Sequence, residues 1–249
     1  MLKAFLDTTV LRLGINDERI WVPVGKEIEL KGQKIVIDSS LLASKNPNLR
    51  FLSQGNYEAF HDSLLLGMMA RLAKKKQMEF YTHHEARWEL FSLPIKIGRS
   101  VFDDVEIKSV ADPFPYSYSK GLSDGSERQY KFLSEIKDQR FLEIQRAVGA
   151  YQGPRNPRQR NQLLDAFHIL CAERSGLEFF VTMDCKLIKL WSHRNQSKST
   201  IRVVSPSGFL GVWRGSNPIR WLALVLSASR EAKSAIVNYR KLIDEIGGQ

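Results

Sequence analysis

The sequence predicts an α/β fold with a mostly parallel sheet, and three observations lead there. Short apolar runs at 3–6, 78–82, 177–182 and 201–204 have strand length. Stretches of helical periodicity separate them, as crossover connections between parallel strands require. Acids stand just past the first and third runs, where the carboxyl ends of parallel strands share one edge.

The elements follow in chain order. Lys3 to Leu6 ends at Asp7, the pattern of a buried strand that delivers an acid into a cleft. From Ile20 to Ile37 the chain alternates apolar and polar residues around Lys31-Gly32, which predicts an inserted β-hairpin over about 20–37. Tyr57 to Lys76 has helical spacing and ends in Lys74, Lys75 and Lys76, a basic run suited to the negative end of a helix dipole. Met78 to Thr82 reads as the next strand, and His84 to Phe91 as a helix stopped by Pro94. Residues 95–129 mix short β-like pieces with Asp-Pro, Phe-Pro and Ser-Asp-Gly turns and form an irregular insertion. Tyr130 to Val148 returns to helical periodicity. Gly153 to Arg160 is a basic loop, and Asn161 is a candidate N-cap for a helix ending near Gly176, which puts Asp165 in its first turns. Leu177 to Thr182 is the clearest strand; a helical pattern follows at once, and Ile201 to Val204 is the last strand. The predicted organisation is a domain over 1–212 and a C-terminal helical extension over 213–249, with Pro218 near the start of its helix.

Composition narrows the function classes. Hydrophobic residues at 43% and charged residues at 26% are those of a chain that folds around a core. A net charge of +10 supplies Lys and Arg for a polyanion such as nucleic acid or an acidic membrane surface. The two cysteines, Cys171 and Cys185, argue against a disulfide scaffold and for a reducing compartment. The N-terminus has no signal-peptide pattern and no apolar stretch is long enough to cross a bilayer, so a cytoplasmic protein without a membrane role is expected.

Asp7, Asp165 and Asp184 are the residues on which chemistry is expected to rest. Carboxylates gathered at one sheet edge raise one another's pKa, and a bound divalent ion removes that conflict. An oxygen-only donor set suits Mg²⁺ or Mn²⁺, which can activate water and hold a scissile phosphate. Taken singly, each Asp reads more readily as a helix cap or a solvated charge, and it is the combination that points to a site.

Four segments together resemble the PIN-domain nucleases. FLDTTVL is similar to that family's opening strand and Asp-[Ser/Thr] turn, LLDAFHILCAERSG to its Asp-Ala helix, FFVTMDCKLIK to its Thr-x-Asp junction and IRVVSPSGFL to its closing strand. The resemblance covers the two ends of the domain better than its middle. It implies a Rossmann-like three-layer α/β/α sandwich that binds Mg²⁺ or Mn²⁺ and hydrolyses RNA as an endoribonuclease. It also implies that Asp7, Asp165 and Asp184 are metal ligands and catalytic groups, and that the Thr182 hydroxyl orients the site. The family's middle acid, a Glu followed by an apolar residue, fits Glu89-Leu90, with Glu85 one helical turn earlier as the alternative. The toxin members of toxin–antitoxin pairs imply RNA and an antitoxin-like protein as partners, with a homo-oligomer also possible. A non-catalytic RNA-binding or scaffolding module and a DNA-directed nuclease of related fold are the rival readings.

Several residues admit a second role. Asp38, in KIVIDSSLL, is another candidate for the opening acid, but the hairpin before it reads as an excursion, so Asp7 is preferred. Arg155, Arg158 and Arg160 are candidate phosphate contacts or a solvated loop. His83 and His84 read as structural histidines or as phosphate or proton contacts. His168, Cys171 and Cys185 match no closed zinc pattern, and packing accounts for both cysteines. Tyr151 and Phe167 are base-stacking candidates or core.

Overall fold

A computed structural model describes residues 1–30, 33–45, 48, 51, 54–92, 98–114, 125–150, 157–194 and 199–217. The chain divides into two compact units, Met1–Ser207 and Gly208–Gln249. The predicted helices beyond 217 lie outside the described residues.

The first unit is an α/β fold of the Rossmann-like, three-layer kind. In chain order the elements are β1 (Leu2–Leu6), α1 (Thr8–Leu13), β2 (Ile15–Leu30), β3 (Gln33–Lys45), α2 (Tyr57–Lys74), β4 (Met78–Thr82), α3 (His84–Ser92), β5 (Gly98–Ser100) and β6 (Ile107–Ser109). There follow α4 (Gly125–Glu135), α5 (Gln139–Val148), α6 (Pro157–Arg174), β7 (Phe179–Val181), α7 (Cys185–Arg194) and β8 (Arg202–Val204), while α8 (Pro206–Ser216) belongs mostly to the second unit. The main sheet has five parallel strands in the order β6-β4-β1-β7-β8. The chain therefore winds outward from β1 to β4 and β6, then returns to the other side of β1 for β7 and β8. Such a reversal leaves a crevice at the carboxyl ends of the central strands.

The sheet is buried because its central strands are apolar. Phe5, Phe80, Phe179 and Phe180 are all buried, and Phe5 stacks on Phe180 with ring centroids 5.3 Å apart. Helix α6 presents Leu164, Phe167, Leu170 and Cys171 to the same core, and α5 adds Phe141, Ile144 and Val148. Phe167 thus packs edge-on against Phe132 and Phe141, as core rather than as a stacking platform for bases.

Several boundaries differ from expectation for identifiable reasons. The hairpin is longer than 20–37: β2 and β3 pair antiparallel from Glu18↔Lys45 to Leu30↔Gln33, and Gly25 faces Asp38 across the ladder. The Ser-rich stretch after Asp38 has weak strand preference, and cross-strand pairing decides its state. β5, from the segment expected to be irregular, adds a third strand on the β2 side. β6 comes from the same segment and extends the parallel sheet, although three residues with a central lysine give no apolar run. The single helix expected at 130–148 is two helices, because Asp138 caps α5 by accepting the Phe141 N–H at 2.9 Å. α6 starts at Pro157 rather than after Asn161, proline being suited to a first helical turn. Asp165 consequently stands in the third turn, not the first.

Candidate metal and acid site

Asp7 leaves β1 at the reversal point of the sheet, and its backbone N–H is held by the Val181 carbonyl at 3.0 Å. It opens α1 but does not cap it with its side chain. The carboxylate instead turns inward, where Oδ2 accepts the Thr9 hydroxyl at 2.6 Å and the Thr182 hydroxyl at 2.8 Å. Burial pushes the Asp7 carboxyl up; the Thr9 and Thr182 hydroxyl bonds and the backbone N–H groups of Thr8 and Thr9 partly oppose it.

Thr182, fully buried past β7, joins the two strand ends. Besides donating to Asp7 it accepts the Asp184 backbone N–H at 3.1 Å, which fixes the turn that carries Asp184. Asp184 then caps α7, with Oδ1 accepting the Lys186 and Leu187 N–H groups at 2.8 and 3.0 Å. Being a cap does not remove Asp184 from the site, since the cap uses one oxygen and the residue is exposed.

Glu89 arrives from α3, and the Thr8 hydroxyl donates to its Oε2 at 2.8 Å. Asp165 arrives from α6. Its carboxyl is pushed well above the ordinary range, first by burial and then by the charges of Asp7, Asp184 and Glu89. The structure thus gathers the four expected acids, from β1, α3, α6 and the β7–α7 junction, at one carboxylate-rich point. Glu85 points elsewhere: it is buried, takes a hydrogen bond from Gln129 and lies 3.2 Å from His84 Nε2. Asp38 lies on β3, in the separate antiparallel sheet. The Asp-[Ser/Thr] turn of FLDTTVL contains Thr8, but its pattern assigns no role to the Thr8 and Thr9 hydroxyls, which hold Glu89 and Asp7.

The donor set fits hard divalent cations, because all four groups offer oxygen and their mutual charge is what an ion would relieve. Among the described residues, the group whose ligand atoms all lie within 4.8 Å of one another is instead His83, His84 and Asp112; the four acids are spaced more widely. Mg²⁺ and Mn²⁺ take one or two carboxylates and complete their shell with water and phosphate, so such an ion does not need all four acids on itself.

Arg158 and Arg160 belong to the first turn of α6, whereas Arg155 and Tyr151 lie outside the described residues. A cleft of about 550 Å³ opens beside Cys185, next in sequence to Asp184, and is also lined by Tyr57, His61, Asp62, Lys189 and Ser207. Cys171 is buried and Cys185 exposed, so with His168 they do not assemble a zinc site. Among the described residues, no helix is long and apolar enough to cross a membrane. No protein-family model matches the chain, and no characterised protein matches it in sequence.

Proposed function

We propose that the chain is a divalent-metal-dependent endoribonuclease of the PIN-like type. The observation that carries this reading is the convergence of Asp7, Glu89, Asp165 and Asp184 beside β1, with the Asp165 carboxyl driven up first by burial and then by the charges of the other three. When bound there, Mg²⁺ or Mn²⁺ supplies an activated water and neutralises charge on the scissile phosphate.

The residues' own roles follow from their partners. Thr9 and Thr182 hold Asp7 by one oxygen, so its carboxylate keeps one orientation in a buried setting. Thr8 does the same for Glu89, and the α7 cap does so for Asp184. In this reading the carboxylates would orient an attacking water in line with the leaving ribose oxygen, which would take up the proton that the water gives up. Arg158 and Arg160, on the helix that carries Asp165, and the +10 net charge favour a polyanionic substrate. The setting is cytoplasmic, the role toxin-like or RNA-processing, and an antitoxin-like protein or a second copy is the candidate cover for the acids.

Incubation of labelled RNA and DNA oligonucleotides with Mg²⁺, with Mn²⁺ and with EDTA tests the reading. Cleavage of RNA in both metals, none in EDTA, and a loss of at least about 100-fold in Asp184→Asn are expected. Cutting of DNA in preference to RNA selects the DNA-directed alternative. RNA binding without cleavage in either metal selects the non-catalytic one.

A further inference from the structure

Three side chains unused by the acids stand together one strand away. His83 follows β4, His84 opens α3, and Asp112 lies past β6, the strand beside β4 in the sheet. Asp112 Oδ1 is 2.7 Å from His83 Nε2 and 3.3 Å from His84 Nδ1. We propose that His83, His84 and Asp112 form a second metal site, for a borderline divalent ion of the Zn²⁺ or Co²⁺ kind. Two imidazole nitrogens and one carboxylate oxygen are the donor set of an open site in which water takes the fourth position.

The ligand atoms all lie within 4.8 Å of one another, and the two separations to Asp112 bear on the fit. Ligands held at about 2.0–2.1 Å in a tetrahedron stand roughly 3.3–3.4 Å apart. The His84–Asp112 separation of 3.3 Å has that value already. The His83–Asp112 separation of 2.7 Å is an N–H to carboxylate bond, and an ion replacing that proton opens it by about 0.6 Å. The ring proton then moves to His83 Nδ1, which gives up the Glu85 N–H it accepts at 3.2 Å. One first-turn hydrogen bond is the cost of loading.

The surroundings supply what a metal-binding histidine requires. His84 Nε2 lies 3.2 Å from Oε1 of the buried Glu85, a carboxylate on the far nitrogen of the kind that orients metal-binding histidines. Gln129 anchors that glutamate from α4. Behind the group, His168 is 1% exposed, neither of its ring nitrogens has a hydrogen-bond partner among the described residues, and its ring centre is 6.4 Å from that of His83. A buried imidazole left unsatisfied is rare, and this one stands next to the proposed site. On the outer side, His84 and Asp112 keep 30% and 47% of their side-chain surface in solvent, so ion and water have access. Loading would tie the segment after β6 to the first turn of α3, the helix that carries Glu89.

The proposal does not depend on nuclease activity, and its test does not use it. Untagged full-length protein is titrated with Co²⁺ and followed by visible absorption, then competed with Zn²⁺. Ligand-field bands of a four-coordinate ion, saturating near one equivalent and bleached by Zn²⁺, are expected. His84→Ala and Asp112→Ala weaken Co²⁺ binding by about 100-fold, Glu85→Gln by about 10-fold, and Asp184→Asn leaves it unchanged. His84 and Asp112 are solvent-facing, so both variants should fold, and circular dichroism checks each; the one that folds decides. Absence of the bands, equal affinity in either folded variant, or loss of the bands in His61→Ala instead would overturn the site.

Discussion

Asp165 stands partly buried among three other carboxylates, and charging it near neutral pH works against the fold. Its pKa is raised in the folded state, so the unfolded chain gives up that proton first and stability falls as pH rises above the ordinary carboxyl value of 3.8. Asp165→Asn should therefore stabilise the protein in EDTA at pH 7, by about 1–2 kcal/mol, while abolishing cleavage. Urea unfolding checks the sign, and a destabilised variant contradicts it. Mg²⁺ should raise the melting temperature of the wild type and leave that of the variant nearly unchanged, since only a competent site gains from mass action. Thr182→Val removes a buried hydroxyl that serves Asp7 and the Asp184 N–H at once. A loss of about 1–3 kcal/mol in chemical denaturation is expected, because the Asp184 N–H loses its acceptor. At this scale Asp7 and Asp184 were legible as acids just past apolar runs, and Asp165 through the helix that feeds the third strand. The assignment of Glu89 and Glu85 to different surroundings was not, because their partners, Thr8 and Gln129, lie 81 and 44 residues away.

Elements with strong local signals formed where expected. β7 and α7 come from LEFFVTMDCKLIK, in which an apolar run ends in an acid that caps the next helix. β6 and the outer half of β3 had no such signal. Their strand state is set by pairing with β4 and β2, which local preference does not encode. The split of the predicted 130–148 helix rests on the Asp138 cap, a short-range cue masked by continuous helical periodicity. Asp138→Ala should lower stability by about 1 kcal/mol through α5, and slightly more if its 2.6 Å contact with Arg174 also contributes. Thermal melting in EDTA measures it, and an unchanged midpoint would contradict the cap.

The topology of the whole unit puts two groups of ionisable side chains on one sheet edge: acids beside β1, and histidines between β4 and β6. The acids and their strand order were readable in outline because parallel strands separated by helices leave few arrangements. The histidine group was not, because it forms only when β6 brings Asp112 to β4. Burial, with the charge of His84, lowers His168 from 6.5 to about 4, the charge of Glu85 opposing it. In the window between those values the unfolded chain takes up the proton and the folded one does not, so stability falls as pH drops from 6.5 toward 4. Measured in EDTA against His168→Leu, the wild type should lose stability by up to about 1.4 kcal/mol per pH unit in that window. A pH-independent difference between the two proteins would contradict it. The central claim, that Asp7, Glu89, Asp165 and Asp184 hold hard cations together, is tested most directly by Mn²⁺ binding followed by electron paramagnetic resonance in a His84→Ala background. The account predicts saturable binding that weakens at least about 10-fold in each of Asp7→Asn, Asp165→Asn and Asp184→Asn, whereas affinity equal to the parent in all three variants would contradict it.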